Sequence, residues 1–263
     1  MSTDAEVVPA RRKFGLGFWS FIVLMLALTA MFVALGIWQV DRLAWKDGLI
    51  AEVTARLNQP PYELPAADQW STLDLDTFTY HPVTVTGQYV PDKTILSFTS
   101  LDGAKGKYEG PGDWVLTPFA IDGGGTVFIN RGFVPQAQAQ AFVDEKTVPK
   151  GHMSITGIGV APEQAGPFTP GPDAARRTEW VRDPTRLAAL AGVSGPVLAL
   201  TLDAPAAGPG ALPQGGETTI DFPNNHLGYA MTWFGFALLT PCLLAFWVWR
   251  QVRPQTVGKP KQS

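Results

Sequence analysis

An uncharged stretch near the N-terminus decides the fold: Phe18-Trp-Ser-Phe-Ile-Val-Leu-Met-Leu-Ala-Leu-Thr-Ala-Met-Phe-Val-Ala-Leu-Gly-Ile-Trp38. A helix of about 20 apolar residues is long enough to cross the hydrocarbon core of a bilayer. A cleaved signal peptide with a small-residue site at Ala34-Leu-Gly36 is the alternative, but the apolar run is too long for one. The sequence therefore predicts a transmembrane helix over residues 14–40.

A second uncharged run lies near the C-terminus, from Gly228 to Trp249. It contains Pro241, which membrane helices tolerate when neighbouring groups satisfy the freed carbonyl. Tryptophan and tyrosine favour the headgroup level of a bilayer, and these residues lie at the ends of both runs. The pattern predicts a second transmembrane helix over residues 228–249.

Basic residues outside the two runs predict the orientation of the chain. They precede the first run and follow the second, at Arg11, Arg12, Lys13, Arg250, Arg253, Lys259 and Lys261. Basic flanks stay on the cytoplasmic side, so the tails 1–13 and 250–263 are predicted to be cytoplasmic and residues 41–227 periplasmic. The N-terminus is not an Arg/Ser-rich amphipathic leader, which favours a bacterial inner membrane over an organelle.

Charge and cysteine content narrow the function classes. Residues 41–249 carry 13 basic and 21 acidic side chains, a formal charge of −8. This balance argues against nucleic acid as a partner, because phosphate binding needs a basic surface. The one cysteine, Cys242, provides neither a disulfide framework nor a pair of thiolates for copper.

Between the two runs, the pattern changes from helical to strand-like. Apolar residues at helical spacing continue the first helix as a stalk over 41–58. Strands are then predicted at residues 81–90, 114–119, 126–134, 152–160 and 197–203, with a hairpin turn at 122–125. Loops rich in Gly, Pro and Ala are expected at 102–113, 161–176 and 204–217.

One short helix interrupts the strand pattern, with Asp183 as its cap, Pro184 at its first position and Leu190 at its end. The predicted fold class is α+β. Two transmembrane helices flank one β-rich extracytoplasmic domain, which is an antiparallel sheet or a small barrel with this short helix.

No enzyme motif is present in the sequence, which lacks a phosphate-binding loop, a dinucleotide fingerprint, GxSxG and HExxH. The three histidines, His81, His152 and His226, are too far apart in sequence to predict a zinc site. The chain is therefore predicted not to be an enzyme. A membrane enzyme acting on a lipid or quinone is the least favoured interpretation, since no nucleophile–base pair stands out.

The candidate site lies where the two helices are expected to leave the membrane. Its polar and aromatic residues are Trp38, Arg42, His226 and Trp233. One interpretation is anchoring alone, with tryptophans at the interface and Asn224 or Asn225 as a helix cap. The other is a haem site, in which His226 binds the iron, Arg42 pairs with a propionate and the tryptophans line a groove.

Arg131 is a second candidate. It shares a strand face with Val127 and Ile129 and yet carries a charge. Two interpretations are open: the guanidinium binds an anionic group, or it pairs with a carboxylate of the same domain. The ion pair within the domain is the favoured interpretation.

Four blocks of the sequence, in order, resemble the Surfeit locus protein 1 family of cytochrome c oxidase assembly factors. They are Leu35-Gly-Ile-Trp-Gln-Val-Asp-Arg-Leu-Ala-Trp-Lys46, Tyr80-His-Pro-Val-Thr-Val-Thr-Gly87, Phe128-Ile-Asn-Arg-Gly-Phe-Val-Pro135 and Asn225-His-Leu-Gly-Tyr-Ala-Met-Thr-Trp-Phe234. The sequence departs from the family at Phe133, where many members have Trp, and in the Ala/Gly/Pro-rich loop 204–217.

The resemblance implies an assembly factor for the aa3-type haem–copper cytochrome c oxidase, which assists haem a insertion into subunit I. Haem a is the implied cofactor, and His226 is the implied ligand of its iron. Subunit I, haem a synthase and membrane lipid are the implied partners. The alternative is a cofactor-free scaffold that stabilises a subunit I intermediate, in which His226 and the tryptophans only anchor and pack.

Overall fold

The computed structural model describes residues 14–218 and 224–253. They form two compact units, residues 14–49 with 224–253 and residues 50–218. The α-helices are α1 Leu16–Leu57, α2 Leu75–Phe78, α3 Gln136–Ala139, α4 Pro184–Ala191 and α5 His226–Val252. The strands are β1 Tyr62–Glu63, β2 Pro82–Tyr89, β3 Ile95–Leu101, β4 Gly110–Ile121, β5 Thr126–Pro135, β6 Met153–Val160, β7 Thr178–Glu179 and β8 Val197–Asp203.

Within the described residues, α1 and α5 are the helices that are long and apolar enough to cross a bilayer. They contain 42 and 27 residues, and at about 1.5 Å per residue even α5 exceeds a hydrocarbon core of about 30 Å. Large apolar side chains on their surfaces are exposed, with Met231 and Leu238 each at 70%. Apolar surface of this extent is typical of helices that contact lipid.

The helix bounds differ slightly from those predicted. α1 runs without a break to Leu57, so the helical spacing after Trp38 does correspond to helix. α5 begins at His226 and ends at Val252, which makes it longer at both ends than the predicted 228–249. Pro241 lies inside α5, as expected for a membrane-type helix.

Five strands of the second unit close into a barrel. The ring runs β2-β6-β8-β5-β4, and β2 pairs back to β4 through Tyr89 and Phe119. Four of the five pairs are antiparallel, and β5–β8 is parallel. The predicted small barrel is confirmed. One parallel pair is required, because strand direction cannot alternate all the way round a ring with an odd number of strands.

Apolar side chains fill the inside of the barrel. Val83, Phe119, Val127 and Ile129 are fully buried there. The spacing of two between Val127 and Ile129 along β5 is the alternation expected of a strand with one face inward. The β4–β5 hairpin forms where the glycine turn at 122–125 predicts it.

A second apolar cluster lies beneath α4, where Leu187 packs with Phe128 and Phe133. The start of α4 is as predicted, because an Asp183 side-chain oxygen accepts a hydrogen bond of 2.8 Å from the Thr185 N–H. Gly192 ends the helix in the left-handed conformation, with φ of 62°.

β3 is missing from the sequence-based prediction, and the loop expected at 102–113 is wrong at its end. β4 already begins at Gly110, which pairs with Leu101 of β3. On its other side β4 pairs with β5, and Gly112 permits that pairing, since a Cβ there would collide with the Phe133 ring and the Val134 carbonyl of β5. Strand pairing in three dimensions thus overrides the local Gly/Pro signal.

Candidate functional site

The first unit is an antiparallel pair of helices with a regular seam. On α5 the more buried side chains recur every three or four residues, at His226, Ala230, Trp233, Ala237, Thr240, Leu244 and Trp247. Ring contacts fix the direction of the pair: Phe18 lies 5.2 Å from Trp247, and Phe32 lies 5.8 Å from Trp233. This period of about 3.5 residues is that of coiled-coil packing.

Small and polar residues allow α1 and α5 to approach closely at two points along the seam. The hydroxyl oxygens of Thr29 and Thr240 are 2.9 Å apart. Gly36 faces Phe234, and a Cβ at Gly36 would come within 2.6 Å of the Phe234 ring. Close approach at small residues is the usual packing of helices in lipid, where no hydrophobic effect drives their association.

His226 and Gln39 form a polar link across this seam. The distance between His226 Nδ1 and Gln39 Oε1 is 2.7 Å, and Gln39 is buried, with 8% of its surface exposed. An amide oxygen can only accept, so Nδ1 donates and carries the ring proton. In the neutral ring the remaining nitrogen, Nε2, then keeps its lone pair, and within the described residues it makes no hydrogen bond.

An imidazole held in this way has the arrangement found in metal-binding histidines. Such a histidine donates its non-ligating N–H to a carboxylate, carbonyl or water, which fixes the tautomer and the ring orientation. Gln39 supplies that acceptor for His226. His226 therefore fits the role of an imidazole ligand for a haem iron. In the described part of the chain, no group of three or more His, Cys, Asp or Glu could hold a bare metal ion.

A second polar link lies at the N-terminal end of α5. Asn224 Nδ2 donates to Asp47 Oδ1 over 2.8 Å. Asn225 occupies the N-cap position, but its side chain makes no capping hydrogen bond. The expected cap position is therefore confirmed at Asn225, but the expected side-chain capping bond is not made, and the Asn224 side chain binds the other helix.

The remaining predicted site residues of this unit lie on two different surfaces. Trp233 belongs to the seam and stacks on Phe32. Trp38 is 55% exposed, and the Arg42 guanidinium lies 3.9 Å above the ring of Trp45. Residues 38, 42 and 45 fall on one stripe of a helix. No hydrogen bond or ion pair joins Arg42 to His226 in the described chain.

Arg131 lies in the second unit, on β5. One of its terminal nitrogens, Nη2, donates to the carbonyl of Thr147. The other, Nη1, is buried and has no partner among the described residues. Burial lowers the pKa of Arg131, while the nearby Tyr89 raises it. The favoured ion pair is not found: none of the ion pairs between described residues includes Arg131.

Comparison with known proteins identifies the family. Residues 26–238 match the model of the SURF1 family. This chain belongs to the SURF1 family. It is 31% identical over 252 residues to mouse Surfeit locus protein 1, covering 92% of this chain and 79% of the mouse protein. It is 31% identical over 237 residues to human Surfeit locus protein 1, covering 86% and 76%.

A SURF1-like protein of Caenorhabditis elegans is 33% identical over 236 residues, covering 83% of this chain and 71% of the worm protein. The stretch that matches the SURF1 model begins within α1 and ends within α5, so it includes the barrel and both polar links of the helix pair. The resemblance inferred from the four sequence blocks is therefore confirmed at the level of the family.

Gln39 and Asp47 are the residues that sequence reasoning did not assign to the site of this SURF1 member. The signal for Gln39 was a polar residue at the seam spacing of α1, seven residues after Phe32 and three after Gly36. A side chain there must face the partner helix and needs a polar partner. His226 is the matching polar residue at the seam spacing of α5.

Proposed function

We propose that this SURF1-family chain is a membrane-anchored assembly factor for an aa3-type haem–copper cytochrome c oxidase, which assists haem a insertion into subunit I. The observation that carries the haem role is the hydrogen bond from His226 to Gln39, which leaves Nε2 able to bind iron. Family membership supports the assembly role. In this role the chain is a binding protein and not an enzyme.

α1 and α5 serve as the membrane anchors in this proposal. Their exposed apolar surfaces and length suit a bilayer, and the basic flanks favour cytoplasmic termini with a periplasmic barrel. The three relatives named above are animal proteins, so the bacterial inner membrane is proposed from the charge pattern of this chain. Membrane lipid is thus one partner, with subunit I and haem a synthase as the proposed protein partners.

Four residues of the helix pair would hold haem a. When bound, haem a would supply an iron that takes an imidazole ligand. His226 Nε2 would provide that ligand, and Gln39 would keep the ring in the required tautomer. Arg42 has its guanidinium exposed above Trp45 and is available to a propionate. Trp38 and Trp233 add aromatic surface on the same helices.

A cofactor-free scaffold is the second candidate, and the packing of the seam favours it. His226 Nδ1 already has a partner, and the seam is closed by the Thr29–Thr240 contact and by the ring stacking of Phe32 with Trp233. Under this alternative His226 and Gln39 only join two helices, and the chain contacts subunit I through its spans.

The test is haem a content of full-length protein purified from cells that make haem a. We expect wild type to retain haem a and His226→Ala to lose it. Gln39→Leu should lower affinity by about 10–100-fold, the usual effect of losing the residue that orients a metal-binding histidine. His152→Ala is the matched control, because the side chain of this histidine is 59% exposed and, among the described residues, bonds to Asp122.

Haem a bound equally by His226→Ala and wild type would refute the ligand assignment. Wild-type protein free of haem a would favour the scaffold. The assembly role itself is tested by reduced-minus-oxidised spectra of membranes from a strain lacking this gene. Loss of the haem a band, with b and c haems retained, is the expected result, and an unchanged band with normal oxidase activity would overturn the role.

A further inference from the structure

A cleft on the outer face of the barrel lies between α3 and the segment that carries β7. Its main lining residues are Phe98, Asp113, Gln136, Gln140, Arg176 and Trp180. Phe98 and Asp113 are directly opposite each other in the β3–β4 pair, so they form its floor. The volume, about 330 Å³, is at the low end for ligand sites, which suits one side chain better than a cofactor.

The carboxylate of Asp113 is the unusual feature of this cleft. Asp113 is 6% exposed, and no hydrogen bond or ion pair joins its side-chain carboxylate to another described residue. Burial raises its pKa above the usual value. A buried carboxylate is costly unless a cation or hydrogen-bond donors satisfy it, so a positively charged group from a partner would stabilise Asp113.

Two aromatic rings stand beside this carboxylate. Phe98 and Trp180 are 36% and 38% exposed, and their centroids are 5.5 Å apart with an interplanar angle of 49°. The Trp180 indole N–H donates to the Gly171 carbonyl over 3.2 Å, which holds the ring in place. Exposed aromatic faces attract cations through the negative charge of the ring face.

Arg176, the cation at the edge of the cleft, does not form an ion pair with the Asp113 carboxylate. Arg176 is directed to Asp173, with 3.9 Å between its Nε and the Asp173 carboxylate, and its side chain is 78% exposed. Gln136 and Gln140 are exposed on the opposite wall. Their amides can bind the N–H and C=O groups of a peptide backbone, as side-chain amides carry both donors and acceptors.

We propose that this cleft binds an arginine side chain of a partner protein, with its guanidinium between the Asp113 carboxylate and the aromatic pair. A guanidinium provides planar N–H donors to a carboxylate and stacks on aromatic rings, whereas a quaternary ammonium has no N–H to offer. The formal charge of −8 over residues 41–249 adds long-range attraction for a basic segment. This interaction is separate from haem binding by the helix pair.

The experiment measures peptide binding to the full-length protein in a non-ionic detergent by saturation-transfer NMR titration. The probes are acetyl-Gly-Arg-Gly-amide, the same peptide with citrulline in place of arginine, and tetramethylammonium. Citrulline keeps the shape of arginine without its charge. We expect the arginine peptide to bind at least about tenfold more tightly than the other two probes.

Asp113→Asn should reduce binding of the arginine peptide by about tenfold or more. Asp68→Asn is the matched control and should change it by less than about twofold, because Asp68 is exposed and lies outside the cleft. The melting temperature of Asp113→Asn should equal or exceed that of wild type, since the substitution removes a buried charge. A reduced affinity in this variant is then not a folding defect.

Several results would overturn the proposal. The first is equal binding of the arginine and citrulline peptides, and the second is unchanged affinity in Asp113→Asn. Tetramethylammonium binding as tightly as the arginine peptide would assign the cleft to quaternary ammonium groups instead. Failure of the arginine peptide to bind would also count against it.

Discussion

Gly132→Ala tests how the segment around Gln214 is held against β5. Gly132 has φ of 131°, which L residues rarely adopt. An added Cβ would collide with the carbonyl of Gln214 and the nitrogen of Gly215, which are backbone atoms and cannot turn aside. The same contact region contains two backbone hydrogen bonds between Phe133 and Gln214, of 2.9 and 2.8 Å.

The expected loss of stability combines two effects. Backbone strain of this kind costs about 1–3 kcal/mol, and the steric overlap costs about 1–3 kcal/mol more. Since a domain is stable by about 5–15 kcal/mol, a loss of about 2–6 kcal/mol is a large share. The melting temperature of the barrel should fall by about 5–20 °C.

The assay is thermal unfolding of full-length protein in detergent, followed by near-ultraviolet circular dichroism. Gly124→Ala is the matched control, because Gly124 has φ of 104° but open space where its Cβ would be. The control should show the strain effect alone, and Gly132→Ala should lose about twice as much. Equal losses in the two variants would show that the Gln214 contact adds nothing.

Two further predictions concern the barrel. Burial raises the pKa of Tyr89 to about 12, whereas the tyrosines of an unfolded chain ionise at about pH 10. The neutral Tyr89 side chain therefore contributes fully to folding stability below about pH 10. This contribution, about 3 kcal/mol, is lost as the pH rises to about 12. Denaturant unfolding should therefore show a smaller loss over that range in Tyr89→Phe than in wild type, and equal losses would contradict the assignment. Asp183→Ala should cost about 1 kcal/mol through loss of the α4 cap, whereas Asp183→Asn, which still accepts the bond, should cost less; equal costs in the same assay would argue against capping.

Local sequence signals were sufficient to predict several helices and turns. The hairpin at 122–125 and helix α4 each depend on residues that act within a few positions, a glycine turn and the Asp183 cap. The two apolar helices follow from composition alone, because the bilayer requirement is a simple length of apolar chain. These elements could therefore be predicted without knowledge of the fold.

Features that depend on distant pairing could not be predicted in this way. Closure of the ring requires Tyr89 to meet Phe119, and nothing local in either segment specifies that pairing. In the site, His226 was evident as a histidine at a helix end, but its partner Gln39 is 187 positions away. Only the register of the two helices brings the pair together, so the tautomer of His226 was not accessible from the sequence.

The order of the ring has a consequence for biosynthesis. β8 lies between β5 and β6, and it is the last of the barrel strands along the chain, ending at Asp203. Until the ribosome has made that strand, β5 and β6 each have an unpaired edge, and such edges invite wrong pairing or aggregation. Synthesis and folding are thus coupled in time, because the barrel can close only after β8, the last strand before α5, has been made.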